Sequence, residues 1–337
     1  MRRLLLLAVF VLLPVLARGE SVEEFYRGRQ VGLYIGFDAG GGYDLTARAM
    51  AAHMGRHIPG NPTIVPRNMP GAGSLKLATY LYGVAPHDGS EFGIFARTVP
   101  LEPLLGKERG FDPRRFGWLG SPSNEVSTCV AWHTAPVKSA QDLLTKELIT
   151  GGTGASSPST VFPNILNAVL GTHIRVINGY GGSTDALLAM ERGEVTGNCA
   201  WGWVPMKATK GEWLRDGKIN VLLQLGMKKA ADHPEVPLAL DLARNAEDRQ
   251  LLEIVFAPQI FARPFAAPPG LPPERLAALR RAFAETIADP AFRQEAAREQ
   301  LEIDFVPPEE IDALLTRLYA SPKDLLARAA AAMAASP

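Results

Sequence analysis

Gly36-Phe37-Asp38-Ala39-Gly40-Gly41-Gly42-Tyr43-Asp44 follows a short β-like run at residues 31–35 and opens an apolar-periodic stretch of helical spacing. Glycine there permits backbone angles closed to other residues and leaves amide N–H groups uncovered. A helix start adds unpaired N–H donors and a partial positive charge. A second turn of the same kind, Asn68-Met69-Pro70-Gly71-Ala72-Gly73-Ser74, lies between the run at 63–65 and another periodic stretch. Two such helix starts in one chain predict a site that grips an anion, most simply a carboxylate, through backbone.

Outward from these turns, β-like runs alternate with helical stretches almost to the end of the chain, which is the α/β pattern. The first half reads as strands over 31–37, 63–66 and 91–96 and helices over 43–57 and 74–83. Leu45, Ala49, Ala52 and His53 form one helical stripe, and Leu77, Leu81 and Val84 another. A second series reads as strands over 126–132, 148–151, 174–178, 194–201 and 219–225, with helices over 139–146, 158–170 and 183–193. Ser139 with Asp142 has the spacing of an N-cap. After a Pro-rich connection at 233–237 come a strand over 258–262 and a run of helices. The second series carries its own glycine turns, Gly151-Gly152-Thr153-Gly154-Ala155-Ser156-Ser157 and Gly179-Tyr180-Gly181-Gly182-Ser183-Thr184-Asp185. Two such turns in each half predict a cleft at the carboxyl ends of the strands.

Arg2 and Arg3 precede the apolar run 4–16, and small residues Ala17 and Gly19 follow. This is the pattern of a signal peptide over 1–19, too short for a stable membrane span, and it predicts export to the periplasm. Removing residues 1–19 from 337 leaves about 318, enough for two lobes. It also removes three of 35 basic residues against 35 acidic ones, giving a net charge of about −3. No basic stripe with interleaved aromatics occurs, so a nucleic-acid partner is not supported. Cys129 and Cys199 both fall in strand-like segments, as a disulfide or as two buried thiols. His53 and His57 have i,i+4 spacing but no third ligand, and no nucleophile elbow or phosphate-loop lysine is present. No metal, cofactor or catalytic residue is expected.

The chain resembles the solute-binding receptors of the tripartite tricarboxylate transporter family, the Bug receptors. Gly41-Gly42-Tyr43-Asp44 with Ala47-Arg48 is similar to the family's first turn. Val65-Pro66-Arg67-Asn68-Met69-Pro70-Gly71-Ala72-Gly73 resembles its asparagine-proline-glycine segment, with Met for the usual Arg and one extra position after Val. Ala85-Pro86-His87-Asp88-Gly89, Tyr180-Gly181-Gly182, Gly193-Glu194-Val195 and Phe261-Ala262-Arg263-Pro264 are further likenesses, spread over nearly the whole mature chain. The resemblance implies a two-lobed type II periplasmic binding protein, a Venus flytrap with its ligand cleft between the lobes. Residues 20–125 with 226–337 would form one lobe and 126–225 the other. It further implies capture of a di- or tricarboxylate or related organic acid and its delivery to membrane permease subunits, the receptor being a monomer. Where the family commonly has an acid or hydroxyl, this chain has Cys199-Ala200-Trp201-Gly202-Trp203, which could wall off an aromatic or larger apolar ligand.

A carboxylate entering a closing cleft loses hydration and needs charge-assisted hydrogen bonds, worth roughly 1.5–3 kcal/mol each. The expected donors are the backbone of Ala39, Gly40 and Gly41 and of Gly71, Gly73 and Ser74. Arg97 and Thr98 are expected at a distal carboxylate or hydroxyl, and Ser157, Tyr180, Gly182, Ser183 and Thr184 from the other lobe. Asn68 either meets the ligand or shapes its own turn, and Phe37 and Trp201 complete the expected set. Asp44 and Asp185 read as helix caps, since an acid facing a carboxylate repels it. Two other functions fit the sequence: the sensor arm of a two-component system, and a secreted enzyme acting on organic acids.

Overall fold

The computed structural model describes residues 20–106 and 109–334, so the expected signal peptide, 1–19, lies outside the described residues. In chain order come α1 (Val22–Tyr26), β1 (Gln30–Ile35), α2 (Gly42–Met54), β2 (Thr63–Asn68), α3 (Leu75–Gly83), β3 (Glu91–Ile94), α4 (Leu101–Leu104) and β4 (Gly117–Gly120). Then follow β5 (Ser127–Trp132), β6 (Leu148–Gly152), α5 (Pro158–Leu170), β7 (Ile174–Asn178), α6 (Ser183–Glu191), β8 (Gly197–Gly202), α7 (Trp203–Arg215) and β9 (Ile219–Leu225). The chain ends with α8 (Ala246–Phe256), β10 (Phe265–Ala267), α9 (Pro273–Ala288), α10 (Pro290–Arg298), α11 (Pro308–Tyr319) and α12 (Lys323–Ala334).

Two five-stranded sheets result, ordered β2-β1-β3-β10-β4 and β7-β6-β8-β5-β9. In the first, β1 runs parallel to β2 and β3, and the late strand β10 returns antiparallel between β3 and β4. In the second, β6 is parallel to β7 and β8, whereas β5 is antiparallel to β8 and β9. Parallel neighbours need helical crossovers, which cover both sheet faces and explain why β1 is buried from Val31 to Ile35. This is the mixed α/β, two-lobed type II architecture.

The core departs from the expected stripes in instructive ways. On α2 the buried residues include Thr46, Ala47, Ala49, Met50, His53 and Met54, while Ala52 is exposed and Leu45 only half-buried. Leu77 and Leu81 are fully buried, but Val84, just past the end of α3, is 72% exposed. The strand expected over 258–262 is instead a 3₁₀ turn (Ala257–Phe261), with β10 beginning four residues later. That segment lies beside the other crossing between the sheets: the Glu125 N–H donates to the Gln259 carbonyl (3.0 Å) and the Ala262 N–H to the Ser123 carbonyl (3.0 Å). The Gln259 carbonyl and the Ala262 N–H are thus satisfied by residues 123–125 and not by a sheet.

Ser139 and Asp142 do cap each other, yet only one 3₁₀ turn (Gln141–Leu144) follows before β6 must begin. Neither β4 nor α7 is apparent in the sequence; α7 carries Pro205 and Gly211 and kinks at Lys210. Cys129 and Cys199 stand opposite each other on β5 and β8 and are bonded as a disulfide, which decides between the two sequence alternatives. Helices α8 and α12 both pack against α5, on the second sheet's side of the molecule.

Candidate functional site

The first glycine turn is held by a small polar network. Asp44 accepts from the Gly40 N–H (2.9 Å), from Arg48 Nε (2.9 Å) and from the Asn68 amide (2.8 Å). Asn68 also donates to the Phe37 carbonyl (2.9 Å) and accepts from Arg48 (2.8 Å). Burial opposes the charged form of Asp44, but Arg48, the Gly40 N–H and Asn68 together hold its carboxyl below the ordinary value. Asp44 is therefore a loop clamp, and Asn68 shapes the turn.

Across the cleft stands the N-terminus of α6. The Thr184 hydroxyl donates to the Gly40 carbonyl (3.2 Å), and the Asp38 N–H donates to the Gly181 carbonyl (3.3 Å). Helices α2 and α6 both begin at glycine N-caps, Gly41 and Gly182, with no side-chain cap on their first N–H groups. The uncapped ends leave their donors to whatever enters between them.

Both ends open onto one cavity of about 380 Å³, lined among others by Phe37, Gly40, Gly41, Arg97, Gly182, Ser183, Thr184 and Trp201. All eight belong to the expected set. The cavity also meets Gly151 at the end of β6 and Trp201 near the end of β8, so it lies where carboxyl ends of strands converge. Ala200 is the extra residue of a β-bulge, since Thr128 pairs with Trp201 and Cys129 with Cys199. The bulge lets consecutive residues Ala200 and Trp201 both face the cavity, against the usual alternation.

The other expected residues lie outside the lining. Ser74 is fully buried, its Oγ accepting from the Ala96 N–H (2.6 Å). Gly73 presses on the other half of the molecule: a Cβ there would sit 2.5 Å from the Ser157 nitrogen. The Thr98 hydroxyl donates to the Ser156 carbonyl (2.5 Å), and Ser157 Oγ donates to the Gly154 carbonyl (2.9 Å). Ala39, Gly71 and Tyr180 are likewise absent from the lining, the first two exposed and Tyr180 half-buried.

A buried charge cluster forms one end of the cavity, and sequence reading missed most of it. Arg97 approaches Glu125 (3.5 Å), donates to Ser127 Oγ (2.8 Å), and has its Nε buried without a hydrogen-bond partner among the described residues. Arg263 pairs with the same Glu125 carboxylate (3.2 Å) and lies over the Tyr43 ring at 4.8 Å. A Cβ on Gly42 would meet the Arg263 guanidinium at 2.8 Å, so the start of α2 sits directly against it. Glu302 lines the same cavity; burial first, then the Glu125 charge, push its carboxyl up to about 7. Arg263 was legible only as part of a motif, while Glu125 and Glu302 carry no local signal at all. No group of three or more metal-ligating His, Cys, Asp or Glu side chains occurs among the described residues, and no helix there is long and apolar enough to cross a membrane.

No curated protein matches the chain. Among solved structures it is similar to the periplasmic binding protein BugD, at 20% identity and a TM-score of 0.69, over 87% of this chain and 95% of that one. MatC from Rhodopseudomonas palustris, solved with bound malate, aligns at 20% identity and a TM-score of 0.67 over 90% and 99%. An R. palustris protein solved with adipate aligns at 20% identity and 0.65 over 89% and 97%. These likenesses show the fold. The family model of the tripartite tricarboxylate transporter receptors (TctC) matches residues 46–313, most of the 337-residue chain, and the chain belongs to that family of substrate-binding receptors.

Proposed function

We propose that the protein is a periplasmic receptor that captures a small organic carboxylate in the cavity and delivers it to the permease subunits of a tripartite tricarboxylate transporter. The observation that carries this reading is the pair of uncapped helix starts at Gly41 and Gly182, which flank one cavity with Arg97 and Arg263 beside them. Backbone N–H groups and guanidinium favour a carboxylate without holding it covalently, which suits reversible capture. Malate in MatC and adipate in the second R. palustris protein are ligands of the same chemical class.

We take the receptor to act as a monomer. We take 126–225, with α8 and α12, which pack on α5, as the moving lobe against 20–125 and the remainder of the later chain. Closure then follows from ligand bridging both lobes and shifting the population toward the shut form.

The test is a thermal-shift screen of protein purified from periplasmic extract against organic acids. A ligand at a hundred times its dissociation constant adds about 2.7 kcal/mol of stability. A shift with carboxylates, and none with neutral isosteres, is expected. No shift with any carboxylate in folded, ligand-free protein would refute the reading.

A further inference from the structure

The charges lining the cavity do not suit every carboxylate equally. At its deep end two guanidiniums, Arg97 and Arg263, share one carboxylate, Glu125, at 3.5 and 3.2 Å. Arg97 is 2% exposed and Glu125 6%, so the surplus of one positive charge is screened little by water. The remaining cation of the lining, Lys210, is matched by Glu191 at 3.4 Å and lies over the Trp213 ring at 4.3 Å. Two further acids, Glu299 and Glu302, also line the cavity. One ligand carboxylate therefore has an unmatched cationic side chain there, and a second would have only backbone N–H groups at the start of α6.

Beside polar residues such as Thr46, Thr153, Asn198 and Gln300, the lining carries apolar side chains that the core covers only in part. Leu45 on α2 and Leu187 on α6 are only half-buried, Leu188 is 41% exposed, and Leu301 is half-buried, yet all four line this cavity. They come from both sides of the cleft and join Trp201. Apolar side chains left partly open and converging on one cavity gain stability only when an apolar group covers them. A second carboxylate placed among them would lose its hydration without a compensating charge.

We infer that the ligand is a monocarboxylate with an apolar body, a hydrocarbon chain or an aromatic ring, and not a di- or tricarboxylate. This rests on the carboxylate-receptor reading above and narrows it. The carboxylate faces Arg263, Arg97 and the start of α2, and the body lies against Leu45, Leu187 and Trp201. Glu302 at the same end favours this arrangement while it is protonated, because it then adds no opposing charge.

Calorimetric titration at pH 6 tests the inference with matched pairs: hexanoate against adipate, which share a six-carbon skeleton, and phenylacetate against malate and citrate. The expected result is at least tenfold tighter binding of hexanoate or phenylacetate than of adipate, malate and citrate. Leu187→Arg, which introduces a cation at the apolar end, should shift the hexanoate-to-adipate ratio at least tenfold toward adipate. Leu45→Arg serves the same purpose if that variant does not fold. Equal or tighter binding of a di- or tricarboxylate by the unaltered protein would overturn the inference while leaving the receptor reading intact. An unchanged ratio in a folded arginine variant would also overturn it. Failure of every carboxylate to bind would overturn both.

Discussion

At the first glycine turn, Gly40 to Gly42 line the cavity and the start of α2 faces that of α6. At the second, Gly71 to Ser74 have positive φ at four successive positions (145°, 50°, 66° and 69°) and press against Gly154 to Ser157. A Cβ on Gly154 would come within 2.4 Å of the Gly73 nitrogen. The two turns follow neighbouring parallel strands and look alike in sequence, yet one lines a cavity and meets the facing turn through two hydrogen bonds, while the other packs backbone against backbone across the cleft. The difference teaches that a glycine at a helix start serves close approach in general. Whether the approaching group is a ligand or another stretch of backbone depends on what stands opposite.

Several substitutions would break or sharpen this contrast. Gly41→Val should have the largest effect. Its φ of −86° suits any residue, so the fold should survive, but even a Cβ would lie 3.1 Å from Ser183 Oγ. Affinity for the ligand should fall at least about a hundredfold, roughly 2.7 kcal/mol by calorimetry, with Tm nearly unchanged. Retained affinity would remove the first turn from the site.

Gly73→Ala should act on closure instead. The αL conformation costs roughly 1–2 kcal/mol for a residue with a Cβ, and that atom would collide with Ser157 backbone. About a tenfold affinity loss is expected. Scattering should also show a ligand-saturated radius that stays nearer the unliganded value than in the parent protein. A normal compaction on ligand addition would contradict the closure role.

Thr98→Val sharpens the same side more gently, because it removes only the hydroxyl that donates to Ser156. A loss of about 1 kcal/mol, or some fivefold in affinity, is expected. It should appear equally for every ligand that closes the lobes, whereas changes at the first turn should discriminate between ligands.

The smallest effect is a pH dependence confined to the first turn's side. Glu302 faces Glu125 and Asp304, which raise its pKa, and Arg263 and Lys207, which lower it; burial is the largest influence, and the result is about 7. A carboxyl raised in the folded state contributes stability that is full below its unfolded value and is lost as pH rises through about 7. Ligand affinity should follow the same sign, weakening a few-fold between pH 6 and pH 8 as Glu302 becomes anionic beside the bound carboxylate. Glu302→Gln should flatten that profile; an unaltered slope would assign it to another group.

Much of the fold was legible because its signals are local. Strands β1, β5, β7 and β9 and helix α5 follow from apolar runs punctuated by glycine and proline, and helix starts from the glycine turns. Leu45 shows where local reading fails: it fits an apolar stripe by spacing but turns to the cavity, while the core stripe of α2 runs through Thr46, Met50 and His53. The 257–261 segment fails for another reason, as its hydrogen-bond partners come from residues 123–125, over a hundred positions away.

By itself, the sequence determined the α/β class, the two series of strands and helices, and the glycine turns that put uncapped N–H groups at helix starts. These depend on backbone angles and periodicities within about ten residues. Only the tertiary structure decided that Cys129 bonds Cys199, that the second turn meets backbone, and that Arg97 and Arg263 share Glu125. Pairing of buried charges and of facing turns depends on which distant segments the sheets bring together, and no window along the chain contains both partners.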